Sequence, residues 1–433
     1  MWSFETEPEF QKELDWIAEF TREKIEPLDH VLPSQWNIHD EGFKRLVRPL
    51  QAEVKARGLW ACHLGPDLGG KGYGQLKLAL MNEQFGRSRF GPIVFGAQAP
   101  DTGNSEILAH YGTDEQKKKW LEPLLNNDMV SCYAMTEPQG GADPLMQKTT
   151  AVLDGDEWVI NGEKWFASNA NFASFYIAMV VTEPEADNPY RRQSMFIVDA
   201  DTPGIEIIRD YGYHGQKEYD HAHVRWTNVR VPRENLLGER GDGFVVAQQR
   251  LGGGRLHHAM RSLALSQKCL DLTCERVKSR RTKGDVLWKQ QMVQEKIADA
   301  WIQIRQFRLL VLETAWLHDQ GQDWKALSQN VSAVKVLMTK VLHDMSSMAM
   351  HLHGSIGITT QMPFSDYLMQ SFVVGLADGP TEVHKSVVAR QLLRQYEPTE
   401  EMFPDYVRFK AVPAARAKLG LDPAEVPSEH AAE

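Results

Sequence analysis

Cysteine is scarce in this chain. Cys62, Cys132, Cys269 and Cys274 are the four among 433 residues, and no two form a Cys-x-x-Cys pair. That spacing excludes a disulfide framework and a paired-thiolate zinc site, and predicts small buried hydrophobes. Long apolar runs are also missing: a stretch such as Phe175 to Val181 falls well short of the roughly 18 residues a membrane-spanning helix needs. No block of Lys and Arg stands out, and 48 basic against 58 acidic residues leave a net charge of −10, so no nucleic-acid partner is expected. The N-terminus mixes Glu5, Glu7, Glu13 and Asp15 with Trp and Phe, unlike a signal or transit peptide, so a cytoplasmic location is expected.

The common nucleotide and hydrolase signatures are absent too. The Gly-rich segment 68–74 has neither dinucleotide-fingerprint spacing nor a Lys-Ser/Thr ending, and there is no Gly-x-Ser-x-Gly elbow. His221 with His223, His257 with His258 and His351 with His353 lack a third ligand at metal-binding spacing, so structural or hydrogen-bonding roles are predicted.

What is present is a chain of ordinary globular composition, 42% hydrophobic and 24% charged, long enough for about three domains. Residues 1–128 read as a helical domain: Leu14, Ile17 and Ile25 share one face, and Pro27 and Pro33 close the first segment. Residues 129–240 read as an antiparallel, barrel-like β domain, with short β-rich runs such as Phe175 to Val181 and Val224 to Val231. Asp154-Gly155 and Asn161-Gly162 there predict tight hairpins. Residues 241–396 read as a four-helix bundle, with apolar stripes such as Val334, Met338, Val341, Met345 and Met348 at helical spacing. Those methionines are read as core. The Pro-rich stretch 397–433 reads as a peripheral tail. The fold class expected is mainly α with a central β domain.

Two passages are more specific. One runs Cys132-Tyr133-Ala134-Met135-Thr136-Glu137-Pro138-Gln139-Gly140-Gly141-Ala142-Asp143 and is followed by Asn161-Gly162-Glu163-Lys164-Trp165-Phe166-Ala167-Ser168; the other is Leu376-Ala377-Asp378-Gly379-Pro380-Thr381-Glu382. With Val231-Pro232-Arg233-Glu234-Asn235-Leu236-Leu237-Gly238 between them, the chain from about Glu7 to Arg394 resembles the acyl-CoA dehydrogenase family of flavoproteins. Arg250-Leu251-Gly252-Gly253-Gly254-Arg255 and the Asp-Gly-Pro turn resemble one branch, whose animal members also carry a kinase-like domain. No such domain is read here, so a free-standing bacterial relative is expected.

The resemblance implies FAD, an acyl-CoA substrate, an electron-transferring flavoprotein as electron acceptor, and a homodimer or homotetramer. Residue by residue it implies a cofactor site from Tyr133, Met135, Thr136, Gly141, Phe166 and Ser168, with Thr381 and Glu382 at the start of the last bundle helix. Arg280 and Gln291 are implied to reach the FAD of a partner subunit, and Gly354 and Gly357 to form the turn at its pyrophosphate and adenosine side. Ala142, Arg255 and Gly379 are assigned to the substrate side; Ala142 stands where the family often has Ser, and Lys283 where it usually has Phe.

Desaturating a thioester requires a base for the α-proton while a hydride leaves the β-carbon for flavin N5. By resemblance that base is Asp378, one methylene shorter than the usual Glu, and burial is expected to raise its pKa. The competing reading is a helix cap, since Asp is a favoured cap and Pro a favoured first-turn residue. Gly254, where some members keep their base, cannot titrate. Medium or long, branched or hydroxylated acyl-CoAs are the substrates the branch suggests. An oxidase resembling nitroalkane oxidase, or a flavin-containing DNA-associated protein, stands as the alternative.

Overall fold

The computed structural model describes residues 4–66, 70–212, 221–397 and 401–421. Leu68 and Gly69 of the Gly-rich segment, and Pro398, Pro423 and Pro427 of the C-terminal stretch, lie outside them. The chain divides into two compact units, Met1–Val388 and Ala389–Glu433. The second contains the helix Arg408–Leu419, with Pro413 inside it.

In the first unit, the sequence up to Asn126 is helical. Helix Pro8–Phe20 forms because Phe10, Leu14, Ile17 and Phe20 recur on one buried face, and a π-turn, Thr21–Ile25, carries that face on to Ile25. Helices Arg48–Arg57, Gly74–Phe85 and Asp101–Tyr111 follow. The buried side chains of the first two share one hydrophobic core with the C-terminal helices, including Phe85, Phe95, Leu256, Phe307 and Met338, whereas Ile107 and Leu108 of the third pack against Phe175, Ile177 and Ile197 of the sheet.

The middle of the chain forms strands β1 (Ser131–Ala134), β2 (Thr150–Asp154), β3 (Glu157–Ser168), β4 (Phe175–Val181), β5 (Gln193–Asp199), β6 (Ile205–Tyr211), β7 (His221–Pro232) and β8 (Leu236–Leu237) in one sheet, ordered β6-β7-β3-β2-β4-β5-β8, with β1 on β4. Pairing is mainly antiparallel, but β1 and β4 run parallel. No tight turn links those two strands, so nothing local forces the antiparallel direction expected from sequence. Asp154-Gly155 opens the predicted hairpin: Gly155-Asp156 is a two-residue loop with Gly155 at φ +65°. Asn161-Gly162 does not. It lies inside β3, where the register against β7 slips between Ile160 and Gly162, and Gly162 is required because a Cβ would sit 2.5 Å from Thr149 Oγ1. A Gly pair that permits a turn also permits a bulge, and the partner strand decides between them.

The first bundle helix, Gly243–Ser279, is followed by the second, Gln291–Asp319, the third, Ser328–His353, and the fourth, Phe364–Leu376. A closing helix, Thr381–Leu393, begins just after the Asp-Gly-Pro turn. Val334, Met338, Val341 and Met345 are buried, so the methionine stripe is core as expected. Among the described residues no helix is long and apolar enough to cross a membrane.

Candidate functional site

The turn between the fourth and closing helices holds Asp378 at φ +56° and Gly379 at φ +105°. Left-handed backbone is unfavourable for a residue with a side chain, so the turn must be held from outside. Two donors hold the Asp378 carbonyl: Arg255 Nε at 2.9 Å and His384 Nε2 at 3.2 Å. A carbonyl can only accept, so His384 carries its proton on Nε2, and its Nδ1 accepts from Ser332 Oγ at 3.0 Å. A Cβ on Gly379 would lie 2.9 Å from His384 Nε2, which fixes glycine there.

The Asp378 side chain is 16% exposed, with Oδ2 3.6 Å from His258 Nε2. Among the described residues its two oxygens accept no hydrogen bond. At Gly254, Oδ2 is the only outside atom among the described residues within 4 Å of where a Cβ would be, so that face of the first bundle helix leaves room beside the carboxylate. The pKa expectation is overturned. Burial does push Asp378 up, but His258, Arg250, Arg255 and Lys335 push it down and together hold it below the ordinary aspartate value. Lys335 in turn is lowered to about 8 by burial, against the pull of Asp378, and donates to the Val374 carbonyl. Tyr133 is raised to about 12, mainly by burial, and the Arg250 guanidinium lies 3.8 Å over its ring.

On the sheet side, β3 slips again between Lys164 and Ala167, which leaves Trp165 and Phe166 outside the ladder. Phe166 has φ +48°, is 42% exposed and stacks on Tyr211 with centroids 5.6 Å apart. Beside it Ser168 Oγ and His221 Nδ1 are 2.8 Å apart. The Thr136 carbonyl accepts from Trp165 N at 2.9 Å, and the Met135 carbonyl from Gln147 Nε2 at 2.8 Å. Gly141 and Ala142 are exposed, with no atom of the described residues within 4 Å of where a Gly141 Cβ would be. Behind this face Lys164 and Glu137 form a buried ion pair of 2.7 Å.

Asp378, Gly379 and Arg255 therefore gather at one turn, and Tyr133, Met135, Thr136, Phe166 and Ser168 lie along β1, β3 and the segment that follows β1. Thr381 Oγ1 donates to the Gly375 carbonyl at 3.2 Å, bracing the same turn, while Glu382 is exposed. Arg280, Gln291, Gly354 and Gly357 are elsewhere. Arg280 ends the first bundle helix, 22 residues beyond His258 and so about 33 Å along its axis. Gly354 caps the third helix at φ +71°, and Gly357 is buried in the turn that follows. Sequence reasoning assigned no site role to Arg250, His258, Lys335 or His384. A signal existed for Lys335, a lysine inside the apolar stripe Val331, Val334, Met338.

Family models for the N-terminal, middle and C-terminal domains of acyl-CoA dehydrogenase match residues 7–128, 132–229 and 241–393. The chain belongs to the acyl-CoA dehydrogenase family. It is similar to acyl-CoA dehydrogenase family member 11 of Gallus gallus, 36% identical over 88% of this chain and 50% of that one. Similar, too, is the probable acyl-CoA dehydrogenase FadE2 of Mycobacterium tuberculosis, 36% identical over 92% of this chain and 94% of its own. A solved structure from Mycobacterium abscessus, named as a candidate acyl-CoA dehydrogenase, is 37% identical with a TM-score of 0.83, covering 91% of this chain and all of that one. This chain spans about half the length of the family member 11 relatives. Family and fold support FAD as the cofactor. The residues present fit such a group: Phe166 offers an exposed flat ring, and the buried Tyr133 hydroxyl, Gln147 Oε1 and Asn169 Oδ1 have no hydrogen-bond partner among the described residues.

Proposed function

We propose that this flavoenzyme oxidises an acyl-CoA thioester to its trans-2-enoyl-CoA, with Asp378 as the base that takes the α-proton. The observation that carries the reading is a largely buried carboxylate whose two oxygens accept no hydrogen bond among the described residues, on a turn whose Asp378 carbonyl is held by Arg255 and His384. A carboxylate in that state has lone pairs to receive a proton and a fixed direction in which to receive it. FAD, when bound, supplies the acceptor for the hydrogen that leaves Cβ as hydride.

Tyr133, Met135, Thr136, Gly141, Phe166 and Ser168 are the residues proposed to hold the isoalloxazine and its surroundings, with Thr381 and Glu382 at the closing helix. Arg280, Gln291, Gly354 and Gly357 are proposed to serve the more distant parts of the cofactor, Arg280 and Gln291 toward a second subunit. Gly379 and Ala142 border the substrate. Arg255 acts through the Asp378 carbonyl as a positioning residue. Proton removal leaves enolate charge on the thioester oxygen, which the Asp378 backbone N–H is proposed to stabilise. An electron-transferring flavoprotein is the proposed acceptor, and medium or long acyl-CoAs the proposed substrate class, including branched or hydroxylated ones.

The test is anaerobic mixing of the purified holoenzyme with a panel of acyl-CoAs, following flavin bleaching. Wild type bleaches with at least one member, and Asp378→Asn keeps FAD but loses most of the bleaching. Full reduction of that variant at the wild-type rate removes Asp378 from the reaction, and rapid oxygen uptake without another acceptor points to an oxidase instead.

A further inference from the structure

The groups around Asp378 differ in what they can exchange. Arg250 and Arg255 on the first bundle helix and Lys335 on the third supply positive charge. Tyr133 from β1 supplies a phenol, and His384 from the closing helix is occupied with the carbonyl. His258 alone presents a neutral ring edge to the carboxylate.

Its protonation state follows from its other side. Arg261 Nη2 lies 3.3 Å from His258 Nδ1, and Arg261 Nη1 donates to the Ala97 carbonyl at 3.2 Å. A guanidinium has donors only, so Nδ1 must accept and the proton of the neutral imidazole sits on Nε2, the nitrogen 3.6 Å from Asp378 Oδ2. Burial, then the charge of Arg261, lowers the His258 pKa to about 3, so the ring is neutral across the physiological range and meets Asp378 as an N–H dipole. Because Nδ1 is engaged by a permanent cation, the ring has no route for passing a proton onward and cannot act as a relay.

We infer that His258 is a positioning residue for Asp378: its Nε2–H donates to Oδ2 in the substrate complex, aiming the carboxylate and favouring its ionised form. This rests on the reading of Asp378 as the base. At 3.6 Å the contact is longer than a hydrogen bond by roughly 0.6 Å, and catalytic contacts of this kind shorten when substrate closes the site.

Three variants separate the donor from the bulk of the ring. The side-chain nitrogen of Gln superimposes on Nε2 of His, whereas that of Asn superimposes on Nδ1. His258→Gln therefore keeps the donor toward Asp378, His258→Asn withdraws it, and His258→Leu is a second donor-free variant in case the Asn variant does not fold. The Asp378 carboxylate is titrated in each holoenzyme by infrared difference against Asp378→Asn, with the pH profile of flavin reduction by octanoyl-CoA alongside. Loss of the donor is expected to raise the titration midpoint by about one pH unit, a tenfold change in acidity, with His258→Gln staying within a few tenths of wild type. A midpoint unchanged in the donor-free variants, or moved as far by Gln as by Asn, overturns the inference. If Asp378→Asn itself reduces FAD at the wild-type rate, the reading of the base fails first; if it is inactive while the His258 midpoints stay put, only the His258 role fails.

Discussion

Glu137 and Asp378 are both enclosed carboxylates, and their surroundings differ in kind. Glu137 is saturated: it accepts from Lys164 Nζ at 2.7 Å, Lys148 N at 2.6 Å, Thr149 N at 3.1 Å and Gln139 Nε2 at 2.5 Å, with side-chain exposures of 2% for itself and 0% for Lys164. Asp378 has charges near it and hydrogen bonds to its backbone carbonyl, but none to its carboxylate oxygens among the described residues. Both pKa values lie below the ordinary range despite burial, which alone would raise them: Lys164 with donated hydrogen bonds does this for Glu137, and a shell of His258, Arg250, Arg255 and Lys335 for Asp378. A carboxylate that holds structure together has its lone pairs filled; one that is to take a proton keeps them open while its charge is still supported.

The sharpest way to break this comparison is to neutralise each carboxylate in turn. Asp378→Asn should slow flavin reduction by about 10²–10⁴-fold, the usual worth of a positioned base, with a melting temperature near wild type. Glu137→Gln should do the reverse, costing about 3–5 kcal/mol of stability because the Lys164 ammonium is left buried without an anion. Thermal denaturation and rapid-reaction absorbance measure the two, and a large stability loss in the Asp378 variant would contradict the division. Replacing both members of the pair, Glu137→Leu with Lys164→Met, should recover much of the loss.

Glu106 gives a pH-dependent test. Burial raises its pKa to about 7, against the Gln249 bond and the charge of Arg250. Between the unfolded value of 4.5 and about 7, the folded chain keeps a proton the unfolded chain has released, so stability falls as pH rises through that window. Glu106→Gln should remove the fall, gaining roughly 1–3 kcal/mol at pH 8 and little at pH 4. Denaturant midpoints at the two pH values check it, and equal gains at both would rule out this origin.

The smallest expected effects lie on opposite faces of one turn of one helix. A Cβ at Gly252 would sit 2.5 Å from Trp324 Cγ, so Gly252→Ala should cost about 1–3 kcal/mol through overpacking. At Gly254 the nearest atom among the described residues is Asp378 Oδ2 at 3.6 Å, so Gly254→Ala should leave the melting temperature unchanged and raise KM several-fold. A stability loss at Gly254 equal to that at Gly252 would show that the space is packing volume.

The bundle helices and the β2–β3 hairpin were legible because helical periodicity and the Asp154-Gly155 turn are local. The β1–β4 pairing and the bulges of β3 depend on strands remote in sequence, and no local pattern reports them. Asp378 was singled out through resemblance, and the room beside Gly254 is compatible with its short side chain. What sequence could not give was the sign of its pKa shift. That sign is set by Arg250, Arg255 and His258, whose helical spacing is visible, but also by Lys335, about 80 residues further along the chain, whose approach requires the folded bundle.

The helix Gly243–Ser279 carries Arg250, Arg255, His258 and Arg261 within three turns. Their placement toward Asp378 is therefore a property of winding as much as of composition. One residue inserted before Arg250 would advance all four by about 100° around the axis and 1.5 Å along it, swinging the three guanidinium groups and the His258 ring away together. Point substitutions adjust this field in increments, whereas a change in length rewrites it at a stroke.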